Sequence, residues 1–228
     1  MKRLIKMFFK SPAIARIMLK AVLSLHTFTY KAASAISPEL EPGKLHPKHR
    51  IMQYHKWFTA RLHSEWHVLD IGCGNGNLTQ KMAGACRQVT GIDLNPKNIN
   101  QAKEVRNGAN ITFLCADALT FNYDEKVDAF VLSNVLEHIE ERVEFLTQIY
   151  EKQPRKTPPI LLLRVPMITR DWITLYKKEL GLEWRLDKTH YTEYTLEQLK
   201  SELCLAGLEI ETYQIQFGEF YGVIRKPV

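Results

Sequence analysis

Cysteine is scarce in this chain of 228 residues: four, at positions 73, 86, 115 and 204. So few, so widely scattered, they cannot staple a disulfide scaffold, and they lack the paired close spacing of a structural zinc site. A reducing, cytoplasmic setting is therefore expected. No stretch reaches 18 apolar residues without a charge, which argues against a conventional membrane-spanning helix. No G-x-x-x-x-G-K-S/T loop is present, which disfavours an ATPase or GTPase. A basic body is missing too. Residues 1–50 hold ten Lys and Arg against two acids, whereas the remaining 178 hold 21 basic against 23 acidic side chains. The net charge of +6 thus belongs to the N-terminal segment, and attraction to nucleic-acid backbones is not expected of the body. With 45% hydrophobic and 25% charged residues, the chain is neither disordered throughout nor fibrous.

The basic N-terminal segment has a pattern of its own. Residues 4–9 read LIKMFF among Lys2, Arg3, Lys6 and Lys10. Ser11–Pro12 is a helix start, proline at the first helical position costing no hydrogen bond. Ile14, Ile17, Met18, Ala21, Val22, Leu25 and Phe28 then recur at helical spacing as one stripe, opposite Arg16, Lys20, Thr27 and Lys31. Ser37–Pro38 ends the helix. A basic helix with such a stripe suits an interfacial membrane anchor over residues 1–36, a helix on the protein's own core, or a dimer contact, leaving monomer and homodimer both open. Lys10, Arg16 and Lys20 interrupt the apolar run that a cleaved secretory signal needs.

The strongest pattern is HVLDIGCGNGNLTQKMA at 67–83. Val68, Leu69 and Ile71 read as a buried strand. Gly72, Gly74 and Gly76 permit a tight strand-to-helix turn and close approach of a ligand to the backbone. A second strand, 89–92, ends in Asp93, which can accept both hydroxyl hydrogens of a ribose. A third, 111–114, is followed by Asp117. Three successive strand ends would line one crevice of a parallel sheet. The glycines depart from the G-x-G-x-x-G dinucleotide fingerprint, and Asp70 adds an acid before them. Two carboxylates by the loop are unfavourable for a pyrophosphate and favourable for an ammonium or sulfonium charge. Asp93 and Asp117 also read as helix caps, and Cys73 as a small loop side chain without an evident base to activate it.

These segments, VLDIGCGNG at 68–76, GIDLNP at 91–96, CADAL at 115–119 and DAFVLSNVLEHIE at 128–140, closely resemble the class I S-adenosylmethionine-dependent methyltransferases of the small-molecule and lipid type. The resemblance is strong over residues 65–165 and looser beyond. It implies an α/β fold: a Rossmann-like, mainly parallel seven-stranded sheet with an antiparallel last strand, helices on both faces, and here an N-terminal helical extension. It also implies S-adenosylmethionine as cofactor. Its amino acid end would meet the Gly72–Gly76 loop with Cys73 and Gly74, and Asp70 would lie behind the loop or near the methionyl ammonium. The ribose would meet Asp93, and the adenine Leu94, Asp117 and Ala118. Asn134 would lie near the methyl group.

The remaining segments complete the expected domain. A helix over 95–107, a strand over 127–132, a helix over 138–152 and a strand over 160–165 follow in turn, with a proline-rich turn at 154–159. Thr195 and Gln198 form a capping box for a helix over 196–206 closed by Gly207, and an alternating tail reads as a hairpin. The boundaries expected are a helical extension at 1–38, a helical cap at 39–64, and a methyltransferase domain at 65–228 with an acceptor-binding insertion at 167–194.

Methyl transfer from a sulfonium relies mainly on orientation and exclusion of water. No metal is expected unless the acceptor carries a catechol-like pair of oxygens. His138, in Asn134-Val135-Leu136-Glu137-His138, is the first candidate for a base or acceptor-orienting group. His190 and Tyr191 are the second. Arg50, Tyr54 and His55, spaced to share one helical side, are a candidate clamp on cofactor or substrate. The Asp/Asn-Pro-Pro-Tyr/Phe motif of flat-amine methyltransferases is replaced by SNVL at 133–136. An oxygen, carbon or aliphatic-amine acceptor on a small molecule is then the expectation, with lipid, quinone-like and lipid-linked acceptors among the candidates and location in the cytoplasm or on the inner membrane face. An RNA or protein methyltransferase and a non-catalytic interaction protein remain the alternatives.

Overall fold

The computed structural model describes residues 11–106, 108–123, 126–153 and 158–227. The LIKMFF segment and most of the 154–159 turn lie outside them. Contacts divide the chain into two compact units. One comprises the described residues up to Gln53 together with Trp172–Trp184; the other comprises Tyr54–Asp171 and Arg185–Val228. These boundaries differ from those expected from sequence: 54–64 belongs with the sheet, and the middle of the 167–194 insertion belongs with the N-terminal segment.

The first unit holds α1 (Pro12–Ile36), two short 3-10 turns (Ser37–Leu40 and Pro42–Lys44) and α2 (Lys48–Met52). Ser11 occupies the N-cap of α1 in an extended conformation, but its side chain makes no capping bond. Leu23 is buried, while Ile14, Ile17, Met18, Val22, Leu25 and Phe28 are 46–70% exposed. The apolar stripe therefore faces outward rather than onto a core. The unit's other helix is Trp172–Glu179, where Lys177 is buried and its ammonium meets Thr27 Oγ1 at 2.8 Å and His26 Nδ1 at 3.2 Å. No helix among the described residues is long and apolar enough to cross a membrane.

The second unit is built on seven strands: β1 (His67–Ile71), β2 (Gln88–Asp93), β3 (Ile111–Cys115), β4 (Ala129–Ser133), β5 (Ile160–Pro166), β6 (Glu209–Gln216) and β7 (Glu219–Arg225). Their spatial order is β3-β2-β1-β4-β5-β7-β6. The pairs joining β1 to β5 and out to β3 are parallel, while β7 runs antiparallel to both β5 and β6. Apolar runs such as 160–163 become strands because parallel strands covered on both faces bury successive side chains; every residue of β1 and of β5 is buried. The strand expected at 127–132 starts two residues later, at Ala129.

The helices of this unit are, in chain order, α3 (Tyr54–Thr59), α4 (Asn77–Met82), α5 (Pro96–Val105), α6 (Arg142–Glu151) and, after the first unit's α7 (Trp172–Glu179), α8 (Leu196–Leu205). Asn95 caps α5 by accepting from Lys97 N at 3.0 Å. Thr195 caps α8 by accepting from Gln198 N at 3.1 Å, and Gly207 at φ +69° closes it, Leu208 N donating to Leu203 O. Gln198 does not complete a capping box; its amide goes to Thr192 and Glu202. The helix expected from residue 138 begins only at Arg142, because Leu136–His138 forms a single 3-10 turn and Ile139 is extended. Phe130, Leu132, Leu146, Leu161, Leu163, Leu199 and Phe220 are among the fully enclosed side chains of the core under these elements.

Candidate active site

The parallel register sets the site. Ile71 pairs with Ile92 and with Leu132, and Asp93 with Cys115, so β1 to β4 end at one level and their following loops share one crevice. That edge, where strand order reverses between β1 and β4, is where open α/β sheets bind ligands. A cavity of about 1000 Å³ lies there, lined by Gly72, Asp93, Leu94, Asp117, Ala118, Asn134, His138 and Tyr191 among others.

Gly72 has φ +69°, and a Cβ added to it would come within 2.5 Å of the Val135 side chain. The turn thus needs glycine both for its backbone angle and for packing against the β4 loop. At Gly74 nothing lies within 4 Å of the corresponding point, and its amide donates to Asp93 Oδ2 at 2.9 Å. Asp93 Oδ1 accepts from Asn95 N at 2.9 Å and Asn98 Nδ2 at 3.1 Å. An ionised carboxylate has about four acceptor positions; three are used in holding the glycine loop and α5 in place, and capacity for a ligand hydroxyl remains. Asp117 Oδ1 accepts from Leu119 N at 2.9 Å in an Asx turn.

Asp70 does not reach the cavity lining. It is fully enclosed and accepts from Thr79 Oγ1 at 2.6 Å, with its pKa pushed up to about 7 by burial. Cys73 is buried too, and burial followed by the nearby Asp70 and Asp93 raises its pKa, leaving a neutral thiol. Gly76 caps α4 at φ +76° behind the loop.

The acceptor candidates converge from distant parts of the chain. His138, on the 3-10 turn after β4, stands edge-on to His190, ring centroids 4.6 Å apart. Tyr191 is exposed at the cavity wall, and its amide donates to Glu137 O at 2.8 Å. The His138 pKa is lowered, first by burial and then by His190. Asn134 adopts φ +58°, its Nδ2 faces Glu219 Oε1 at 3.4 Å, and its buried Oδ1 has no partner.

The clamp trio does not hold together. Gln53 at φ +46° ends α2, so Arg50 and Tyr54 lie on separate helices and in separate units. Arg50 is committed to Glu41, Nη2 to Oε1 at 2.6 Å and Nε to Oε2 at 2.9 Å. His55 carries a lowered pKa through partial burial. Tyr54 instead lies under the Arg164 guanidinium, 4.1 Å from carbon to ring centroid. Arg164, buried in the middle of an apolar strand, pairs with Glu219 and reaches Ser133 Oγ at 3.3 Å, while Tyr221 donates to Glu219 Oε2 at 3.2 Å. Sequence inspection missed this network and the cavity residues Asn98, Val135, Asp187 and Thr189. Only the polar residue within the run at 160–165 hinted at it.

Asp93, Asp117, Glu140, Glu141 and Asp187 line the cavity, and no Lys or Arg does among the described residues. The negative potential suits a cationic nucleoside and opposes a phosphorylated ligand. The sheet order, the glycine turn and the acids at strand ends define a Rossmann-like α/β sheet with an acidic crevice at its switch point.

Comparison with known proteins agrees. Residues 68–152 match the family profile described as Methyltransferase domain. The ubiquinone biosynthesis O-methyltransferase of Paraburkholderia phytofirmans is 35% identical over 89 residues, 37% of this chain and 38% of that protein. The enzyme of the same name from Rhizobium leguminosarum bv. trifolii is 31% identical over 153 residues, 63% of this chain and 59% of its own. The chain thus spans less than two thirds of the length of these relatives. Among solved structures, magnesium protoporphyrin IX methyltransferase from Synechocystis, with bound SAH, superposes at a TM-score of 0.57 with 21% identity, covering 77% of this chain and 80% of that one. The match to a methyltransferase domain thus lies over residues 68–152, and the chain shares the fold of that solved structure.

Proposed function

We propose that the chain moves a methyl group from S-adenosylmethionine to an oxygen of a small, quinone-like acceptor. One observation carries this reading: the glycine turn, Asp93, Asp117, Asn134 and His138 all line a single acidic cavity of about 1000 Å³. That is the upper end of usual ligand-site volumes, room for a nucleoside and a small acceptor together. The residues fit the cofactor: an unshielded Gly74 backbone for its amino acid end, spare acceptor capacity on Asp93 for the ribose, Asp117 and Ala118 for the adenine, and the orphaned Asn134 oxygen near the methyl. When bound, S-adenosylmethionine would supply a methyl on positive sulfur for displacement onto the acceptor oxygen, the C–S pair remaining with sulfur, and His138 would take up the acceptor proton. The chain's own part is to align the acceptor and to keep water out. His138 and Tyr191 stand on the cavity wall for that purpose. The names of the two curated relatives favour an oxygen acceptor of the quinone class.

Calorimetry with S-adenosylhomocysteine, paired with turnover of a catechol or hydroxybenzoate acceptor series using labelled cofactor, tests the reading. His138→Ala should lower turnover by about 10²-fold or more, the range of a positioned proton-handling group, while nucleoside affinity changes less than threefold. Absence of nucleoside binding at millimolar concentration would end the assignment.

An apolar acceptor is consistent with the outward stripe of α1, which supports contact with an anionic membrane surface. The full chain should pellet with vesicles containing phosphatidylglycerol, and Ile17→Asp with Phe28→Asp should abolish pelleting. At ~1 kcal/mol or more lost per exposed apolar side chain, the two changes together should reduce vesicle affinity at least tenfold. Equal pelleting of both proteins would remove the membrane reading.

A further inference from the structure

We propose that Glu137, His138 and His190 form a site for a divalent transition-metal cation on the wall of the acceptor cavity. One ligand atom from each lies within 4.8 Å of the others. Ligand atoms about a tetrahedral Zn²⁺ sit roughly 3.3 Å apart, so small side-chain adjustments close the site around an ion.

The outer partners prepare both rings. Thr189 Oγ1 donates its one hydrogen to Asp187 Oδ1 at 2.9 Å, so at 3.0 Å from His138 Nδ1 it accepts from that nitrogen. Glu193 Oε1 lies 3.1 Å from His190 Nδ1, and a carboxylate there accepts as well. Each ring is therefore fixed with hydrogen on Nδ1 and a lone pair on Nε2. Carboxylate or hydroxyl partners behind histidines in this way are the usual outer arrangement of metal sites.

Glu137 supplies the observation that leaves room for an ion. It is fully buried, and neither carboxylate oxygen has a hydrogen-bond partner. Burying a carboxylate without partners is costly unless a cation or a proton accompanies it. The charge of Arg164 acts on Glu137 from a distance, but no hydrogen bond joins the two: its Nε goes to Glu219, and its Nη2 is as unpartnered as the carboxylate. Two imidazoles and one carboxylate form a borderline donor set suited to Zn²⁺, Mn²⁺, Fe²⁺ or Co²⁺ rather than to Mg²⁺ or Ca²⁺.

His138 borders the cavity, so the coordination positions left by three protein ligands open toward the acceptor. An acceptor oxygen entering one of them would be oriented and made more acidic by the ion. This last step rests on the proposed methyl transfer; cation binding itself does not.

The test uses the full chain without an affinity tag, stripped with EDTA and dialysed against Zn²⁺ or Mn²⁺. One ion per chain is expected by plasma mass spectrometry. His138→Ala, an exposed side chain, and Glu137→Gln, which removes the buried charge and keeps its shape, should each weaken binding at least 100-fold by calorimetry. Thr189→Ala should weaken it about tenfold, as loss of an outer partner does. His63→Ala, at the surface outside the cluster, should change nothing. No uptake, or uptake indifferent to His138→Ala and Glu137→Gln, overturns the site. S-adenosylhomocysteine affinity, measured on the same samples, separates the two readings: metal failure with nucleoside binding intact rejects only the cation, and the reverse rejects only the proposed transfer.

Discussion

Asp93→Ala is expected to lower the affinity for S-adenosylhomocysteine by about 100-fold, or about 2.7 kcal/mol. Two losses combine. The carboxylate that would accept from the ribose disappears, and hydrogen bonds to a charged acceptor contribute roughly 1.5–3 kcal/mol each. The same carboxylate also ties Gly74 N, Asn95 N and Asn98 Nδ2 together, so the glycine turn and the start of α5 lose their common anchor. Because Asp93 is only half-buried and water can replace it, unfolding free energy should fall by no more than about 1–2 kcal/mol. Calorimetry alongside urea denaturation separates these effects. Affinity within twofold of the parent would show that the strand end does not hold the nucleoside.

The second large effect is on stability. Glu219→Ala should cost about 3–5 kcal/mol, the usual result of leaving one member of a buried ion pair alone. The Arg164 side chain is 4% exposed and that of Glu219 11%, so water cannot take over. Asn134 and the Tyr221 hydroxyl lose their partner in the same step. Glu219→Gln, which retains one acceptor oxygen, should fall between the two. A change below 1 kcal/mol in urea denaturation would mean that the pair is not closed in solution. Since Asn134 lines the cavity, the alanine variant should also turn over poorly at temperatures where it is still folded.

How much of this was readable from the residues depends on the range of the forces involved. The strands were legible because covered parallel strands need unbroken apolar runs, and 68–71, 89–92, 111–114 and 160–163 provide them. The glycine turn was legible because its backbone angles restrict the choice of residue, and Asp93 because an acid at a strand end stands out from the apolar run before it. Helix α6 was started four residues too early because the 136–138 turn is held by tertiary contacts, such as Tyr191 N to Glu137 O, which no local pattern reveals. The shared helical side expected for Arg50, Tyr54 and His55 is absent for a similar reason: the break at Gln53 has no glycine or proline to announce it, and Glu41, nine residues away, takes the Arg50 guanidinium. Placing 172–184 with the N-terminal segment depends on contacts across some 150 residues of chain. His138 and His190 were each singled out, but the orphaned Glu137 between them reads in sequence as one more helix-surface acid.

The order of the sheet has a consequence for biosynthesis. Strand β7 is made after β6 yet is threaded between β6 and β5. On the ribosome, β5 must therefore wait with one side unpaired until residues 219–225 have emerged, a period in which a nascent chain is open to wrong edge-to-edge pairing. The arrival of Glu219 pairs β7 with β5 and neutralises Arg164 in one event, so the core beside the crevice closes only once this strand has emerged.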